Sequence, residues 1–340
     1  MNSLRFQLHW FVIKNLFVRY RWILLTTNQR LVHLTNHRKI KRSSESGELK
    51  RKTATLAEWQ QKLVEYPALE QTDRETEYWQ AIEKQTFVLP VDFETDDWRV
   101  EHLDKVVGTL SKEMTGFLLK DAHQAYKTDV PVLLNTALAL SLMECTGQDK
   151  FIIEQENHGR HLDGIDTSRT IGWFTARYPL SLECKEDTTG NLIKAVKEQI
   201  RKVPNSRMGY GAYKYIRNAE KYRHEITPVR FNYLGQFGGE LNNDLFSYTN
   251  RSAGCEVASE NSMTARIELN LMIVEGQLNI EINYNKKAWK RATIEWWKDL
   301  LLDQLEKVLH HIREEKQQHF TPSDFEAVDL DDEELNALFH

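Results

Sequence analysis

Two alternating apolar runs meet at Glu275-Gly276 near the end of the chain, and they constrain the fold more than any other feature. Ile267, Leu269, Leu271 and Ile273 occupy every second position before that pair, and Leu278, Ile280, Ile282 and Tyr284 do so after it. A period of two sends each set to one face of an extended strand, and the Glu-Gly pair between them reads as the turn of a hairpin. A helix is predicted directly afterwards, because Ile294, Trp297, Leu301, Leu305, Val308 and Ile312 recur at helical spacing. Each element offers one apolar face, and those faces need a common core. The chain is therefore expected to be α/β or α+β.

Upstream, the same reasoning gives further elements. Leu56, Trp59, Leu63 and Tyr66 mark a helix stopped by Pro67, and a second helical stretch carries Tyr78 and Trp79. Leu89-Pro90 opens a loop rich in acids (Asp92, Glu94, Asp96, Asp97). Ser111 is placed to cap a helix running through Leu118, Leu119 and Ala122. The uncharged apolar run from Val132 to Leu142 reads as a buried helix, and Phe151 to Glu154 as a short buried strand. Leu192, Ile193, Val196 and Ile200 form the apolar stripe of another helix.

Composition narrows the class. The chain has 340 residues, enough for one large domain or two lobes, with 41% hydrophobic and 28% charged residues. Cys145, Cys184 and Cys255 lie far apart without a CxxC pair, which argues for reduced thiols rather than a disulfide framework or zinc knuckle. His33 and His37 have helical metal-ligand spacing but no evident third ligand, so no metal is expected. No phosphate loop, nucleotide fingerprint or Ser-His-Asp order occurs. The apolar stretch Phe6–Ile13 is far shorter than the ~20 residues of a membrane helix, and no small-residue cleavage site follows it. The expectation is a cytoplasmic protein with no membrane partner.

The net charge of −5 conceals an asymmetry, because residues 1–53 hold 12 Lys/Arg against only Glu45 and Glu48. A basic arm can contact nucleic acid or an anionic membrane. This one has no groove-reading motif and little helical periodicity, so the preferred reading is an aberrant start out of register with its ancestral gene, with no nucleic-acid partner.

Four segments carry a family resemblance. Glu156 to His161 reads ENHGRH, Ser168 to Thr175 reads SRTIGWFT and is followed by Tyr178-Pro179, Pro204 to Gly211 reads PNSRMGYG, and Phe231 to Phe237 reads FNYLGQF. Together they resemble the epimerization domains of nonribosomal peptide synthetases, where the corresponding motifs are EGHGRE, RTVGWFT…YP, PxxGxGYG and FNYLGQF. Asp129 to Leu140 and Thr321 to Phe325 are similar to a helix and an exit segment of such domains. The GYG and NYLGQF segments favour epimerization over peptide-bond condensation.

The resemblance implies an α/β fold, a chloramphenicol-acetyltransferase-like lobe forming the second half of a two-lobed condensation/epimerization domain, with a partial first lobe. It divides the chain into an atypical basic segment (1–53), a remnant of the first lobe and linker (54–103) and the C-terminal lobe (104–335). The substrate class would be an amino acid or peptide thioesterified to phosphopantetheine on a carrier protein. That group belongs to the partner, so no cofactor is expected in this chain.

Epimerization removes the α-proton of the thioester and returns it to the opposite face, which needs an acid/base group and donors for the enolate oxygen. By the resemblance Glu156 is the acid/base position, where burial would raise a carboxylate's proton affinity; Glu154 next door is taken as a solvated control. Asn232 and Tyr233 are candidate donors; the alternative is a strand packed through Phe231, Leu234 and Phe237. His158 and Arg160 would orient Glu156 or the substrate, or equally form a structural salt bridge or capped loop. His161 departs from the family's glutamate. Ser168, Arg169 and Trp173 are further candidates for substrate contact, Trp173 being as consistent with core. Gly209, Tyr210 and Gly211 are expected as a turn that glycine permits, with channel lining second.

The family's other catalytic element, HHxxxDG, is not in this sequence. Arg21 to Leu25 is faintly similar to the segment that follows it, and the adjacent pair His310-His311 lies in the C-terminal helix and is read as a solvated face. The expectation is a C-terminal portion of an epimerization domain, cut short before that motif, inactive alone, and possibly partnered by a separately encoded first half. A non-catalytic carrier-binding remnant and a condensation-type acyltransferase fragment are the alternatives.

Overall fold

The computed structural model describes residues 52–66, 72–160, 162, 164–204, 207–217, 226–237 and 257–325. The expectations for residues 1–51, including the basic arm, His33 and His37, fall outside them, as does His161.

The hairpin is built as its alternation requires. Strand β5 (Ala265–Val274) and strand β6 (Gln277–Asn285) pair antiparallel in a register that sets Ile267 opposite Tyr284 and Leu271 opposite Ile280. Both belong to a six-stranded sheet of order β1-β6-β5-β4-β2-β3. Its other strands are β1 (Leu103–Thr109), β2 (Lys150–Asn157), β3 (Ala176–Glu183) and β4 (Thr227–Phe237). Strand β4 runs parallel to β5 and to β2, and the remaining neighbours are antiparallel.

Helices cover one face. The long helix here labelled α7 (Arg291–Glu314) buries Ile294, Trp297, Leu301, Leu305, Val308 and Ile312, the stripe expected from its spacing. It lies against α4 (Val130–Thr146), joined by a hydrogen bond from Trp297 Nε1 to Ser141 Oγ of 3.2 Å. Helix α4 is buried on every side, which is why its sequence is apolar without a stripe. Asp129 caps it, accepting from Val132 N–H at 3.0 Å, and Pro131 sits in the first turn, where its missing N–H costs nothing. Each fully buried leucine of this layer, such as Leu133 or Leu138, contributes about 2 kcal/mol of transfer free energy.

Shorter helices fill the flanks. Helix α3 (Lys112–Lys120) is capped by Ser111, as its sequence implies, and places Thr115 Oγ1 to accept from Leu278 N–H on β6. Helix α5 (Thr189–Arg201) buries Leu192, Ile193 and Val196. Helix α1 (Leu56–Glu65) begins at a capping box between Thr55 and Glu58, and α2 (Thr72–Glu83) follows. Trp79 and Ile82 of α2 enter the same core as the hairpin, while Trp59 of α1 packs on Phe174 in a smaller satellite cluster.

The pair His310-His311 needs correction. His310 is exposed as expected, but His311 is half-buried and its Nε2 lies 2.7 Å from the Tyr126 hydroxyl. Helix α7 turns that histidine toward the loop after α3 rather than to solvent.

Candidate active site

Strand β2 ends in Glu154, Gln155, Glu156 and Asn157, and its alternation divides these side chains between two faces. Gln155 turns toward the helices, where its Nε2 donates to Asn135 Oδ1 of α4 at 2.8 Å. Glu154 and Glu156 turn to the opposite face, and there the neighbouring strands bring guanidinium groups to them.

Register sets the partners. Glu156 is paired across β2 and β3 with Arg177, whose Nε donates to Glu156 Oε1 at 2.8 Å. Glu154 is paired across β2 and β4 with Arg230, whose Nε and Nη2 lie 2.9 and 2.7 Å from Glu154 Oε1. Arg230 also donates to Thr264 Oγ1 and O, and reaches Glu268 at 3.5 Å and Glu156 at 3.9 Å. Side-chain exposure is 2% for Arg230 and 6% for Glu156. Burial works against the charge on Arg230, but the carboxylates of Glu154, Glu268 and Glu156 more than offset it and hold the guanidinium above its ordinary value.

Two expectations change. Glu154 is not a solvated control, because its carboxylate grips a buried arginine and its side chain is only 14% exposed. Nor is Glu156 an isolated buried acid, since two guanidiniums accompany it.

Asn232 follows Arg230 by two positions and shares its face, with Nδ2 3.4 Å from Asn270 Oδ1 on β5. Tyr233 points the other way and packs half-buried against the main core. Burial, with Asp129 nearby, pushes its hydroxyl up to about 12. The sheet thus places Asn232 on the Glu156 face and Tyr233 on the helix face.

Beyond β2 the chain runs through a loop to β3. His158 Nδ1 accepts from Arg160 N–H at 3.0 Å, so this histidine shapes the loop. The Arg160 guanidinium lies 4.2 Å from the centre of the Phe174 ring, and its Nη1 donates to Thr167 O at 2.7 Å. Among the described residues its Nε and Nη2 have no hydrogen-bond partner, and burial brings the group down to about 10. Ser168 is exposed, its N–H bonded to Asp166 Oδ1 at 2.9 Å, whereas Arg169 and Trp173 are half-buried. Gly159 has φ +62°, and a Cβ there would lie 1.6 Å from Phe174 O, so only glycine fits the crossing of the loop's two ends.

Gly209, Tyr210 and Gly211 differ from the expected tight turn. They begin a one-turn helix, α6 (Gly209–Ala212), and neither glycine is in the left-handed region. Tyr210 is buried with its ring 5.3 Å from Trp79. This motif packs α2 onto the lobe.

Sequence reasoning missed Arg177, Arg230 and Glu268. Their only signal is register: Arg177 on β3 and Arg230 on β4 face Glu156 and Glu154 across adjacent strands, and Glu268 on β5 joins them through Arg230. Among the described residues, Asp97, Glu101 and His102 form the one group with three close metal-ligand atoms, but Asp97 already accepts from Arg99 and Lys287. No described helix is long and apolar enough to cross a membrane.

A condensation-domain family model matches residues 34–330. Surfactin synthase subunit 2 of Bacillus subtilis (strain 168) is 33% identical over 291 residues, which are 85% of this chain and 8% of that protein. Among solved structures, the epimerization domain from the third module of tyrocidine synthetase B superposes with a TM-score of 0.76 at 25% identity, covering 86% of this chain and 68% of that one. VibH, a condensation enzyme of the same class of synthetase, superposes with a TM-score of 0.59 at 15% identity, covering 86% and 67%. The α/β fold expected from the sequence, a chloramphenicol-acetyltransferase-like lobe, is the fold these structures share.

Proposed function

The chain belongs to the condensation-domain family of nonribosomal peptide synthetases, and we propose that within it the chain is part of an epimerization-type domain acting on an aminoacyl or peptidyl thioester. The observation that carries this reading is Glu156: a carboxylate at the carboxyl end of a buried strand, fixed through one oxygen, in an ENHGRH sequence. The TM-score of 0.76 to an epimerization domain, against 0.59 to a condensation enzyme, supports the same choice.

The chemistry follows from a carboxylate beside the α-carbon. Glu156 takes the α-proton, and the electron pair moves to the thioester carbonyl, whose oxygen becomes an enolate. Asn232, on the same face, is the donor this reading uses for that oxygen. Tyr233, on the helix face, has no part in it. The loop carrying His158, Arg160, Ser168, Arg169 and Trp173 borders the approach to Glu156. The thioester is held on the phosphopantetheine arm of a carrier protein, and this chain contributes no cofactor.

The polypeptide by itself is inactive in this reading. Its sequence supplies one acid/base group and no HHxxxDG, and loss of a positioned acid/base costs about 10²–10⁴-fold. A second reading, a non-catalytic carrier-binding module, is favoured by the ion pair that already engages Glu156.

The test uses a carrier protein loaded with an L-aminoacyl group in heavy water, with deuterium followed at the α-carbon. The chain alone should give no exchange above the enzyme-free control. Exchange should begin when a first-half polypeptide bearing HHxxxDG is added, and Glu156→Gln should abolish it. Exchange by the chain alone would overturn the claim of inactivity. A mixture that binds the loaded carrier without exchange would leave the carrier-binding module.

A further inference from the structure

The two oxygens of Glu156 are not equivalent. Arg177 Nε at 2.8 Å and Arg230 Nε at 3.9 Å both approach Oε1. Oε2 has no hydrogen-bond partner among the described residues and is not among their shielded, unpaired atoms. The two arginines also differ in what else they do. Arg230 is committed to Glu154, Thr264 and Glu268, so its approach to Glu156 is a residual one. Among the described residues the Nε of Arg177 bonds to Glu156 alone.

Arg177 is also placed by the backbone. It is the Cα partner of Glu156 in the antiparallel ladder of β2 and β3, with the buried Tyr178 and Pro179 following it. A cross-strand pair of this kind keeps its geometry as long as the ladder is intact. Among the described residues the charged groups facing Glu156 are Arg177 from β3 and Arg230 from β4, with Glu154 and Glu268 paired to Arg230 in turn.

We propose that Arg177 is a positioning residue: by holding Oε1 it fixes the carboxylate so that Oε2 is the atom presented to the substrate α-carbon. This rests on the epimerization reading above. In the step, the Cα–H bond breaks and the proton forms an O–H bond at Oε2. The electron pair forms the enolate double bond, and the thioester oxygen takes the negative charge. The return step restores a Cα–H bond with a solvent-exchanged proton. Arg177 touches neither the α-carbon nor the thioester oxygen; it sets the angle at which Oε2 meets the proton.

The experiment compares Arg177→Gln and Arg177→Lys in the complete assembly of chain, HHxxxDG-bearing half and loaded carrier. Arg177→Gln should lower kcat for deuterium exchange by about 10–100-fold with KM for the loaded carrier unchanged, the loss expected of a misaligned reacting group. Arg177→Lys should recover part of that rate. In the chain alone, the Arg177 Nε–H signal should exchange slowly with water in the wild type and quickly in Glu156→Gln. The proposal is overturned by a wild-type rate in Arg177→Gln, by no recovery in Arg177→Lys, or by equal Nε–H exchange in both proteins. Absence of exchange in the wild-type assembly would instead defeat the epimerization reading and this role with it.

Discussion

Lys197 Nζ lies 2.5 Å from Asp324 Oδ2, and the lysine side chain has no exposure to solvent. The pair ties α5 to the segment that follows α7, and Lys197 also donates to the Tyr126 carbonyl at 2.9 Å. Arg201 Nη1 completes the clamp on Asp324 Oδ1 at 2.7 Å. Removing one partner leaves the other charge buried and poorly compensated, which typically costs about 3–5 kcal/mol. Asp324→Ala should therefore lower the unfolding free energy by about 3 kcal/mol in urea titrations. The double variant Lys197→Met/Asp324→Ala should be more stable than Asp324→Ala alone, because no charge is then left stranded. A double variant less stable than the single would contradict this account.

The same pair gives the stability a pH dependence of definite sign. Burial alone would push Asp324 up, but hydrogen bonds from Lys197, Arg201 and the Thr321 N–H outweigh it and hold the carboxyl below its ordinary value. In the unfolded chain the group titrates near ~3.9. A depressed folded value means the contribution is present in full above that pH and is lost as pH falls through the folded value. Urea midpoints measured from pH 6 downward should fall less steeply for Asp324→Asn than for the wild type below pH ~4. Parallel curves would exclude Asp324 as a source of acid lability.

Much of this architecture is legible in the residues, and the exceptions share a cause. The hairpin, α7 and α5 each expose one apolar period, and α4 shows a largely apolar run without charge, so their burial follows from the sequence. Strands β1 and β3 do not read as strands. Both are edge strands of the sheet; β1 buries only Val106 and Gly108 and carries Asp104 and Lys105 ahead of them, while β3 contains Pro179, which an edge tolerates. Glu156 stands out through its motif, yet its partners do not. Arg177 and Arg230 become neighbours of Glu156 only through strand register, and a charge at a strand position has no periodicity to betray which face it serves. Glu154 departs from its expected solvation for the same reason, its partner Arg230 lying on another strand.

Glu154 and Glu156 consequently call for different outcomes on neutralisation. Glu154→Gln removes the charge that Arg230 Nε and Nη2 both engage, in a site where the arginine has 2% exposure. Hydrogen bonds to charged groups contribute about 1.5–3 kcal/mol, so a stability loss of that order is expected, with β2 and β4 loosened at their short contact. Glu156→Gln should cost less stability, because Arg177 is 27% exposed and retains access to water. In the reconstituted assembly Glu156→Gln should abolish α-proton exchange. Urea denaturation of both variants, beside the exchange assay, checks the contrast. Greater destabilisation by Glu156→Gln would reverse the assignment of the two carboxylates.

Gly159 offers the sharpest test of how the site loop is held. Its φ of +62° alone costs an alanine about 1–2 kcal/mol. The added Cβ would also lie 1.6 Å from the Phe174 carbonyl oxygen, a backbone atom that cannot swing aside. Phe174 would have to withdraw, taking with it the edge-on contact with Trp59 at 5.0 Å and the stacking of Arg160 at 4.2 Å. Gly164 provides the control, since its φ is +72° but its Cβ would meet only the flexible end of Lys62 at 3.2 Å. Gly164→Ala should thus show the backbone cost alone, and Gly159→Ala a clearly larger loss. Amide exchange should accelerate across residues 158–175 in Gly159→Ala and remain near wild type there in Gly164→Ala. Equal losses in the two variants would mean that the crossing of β2's exit over Phe174 is not what holds this loop in place.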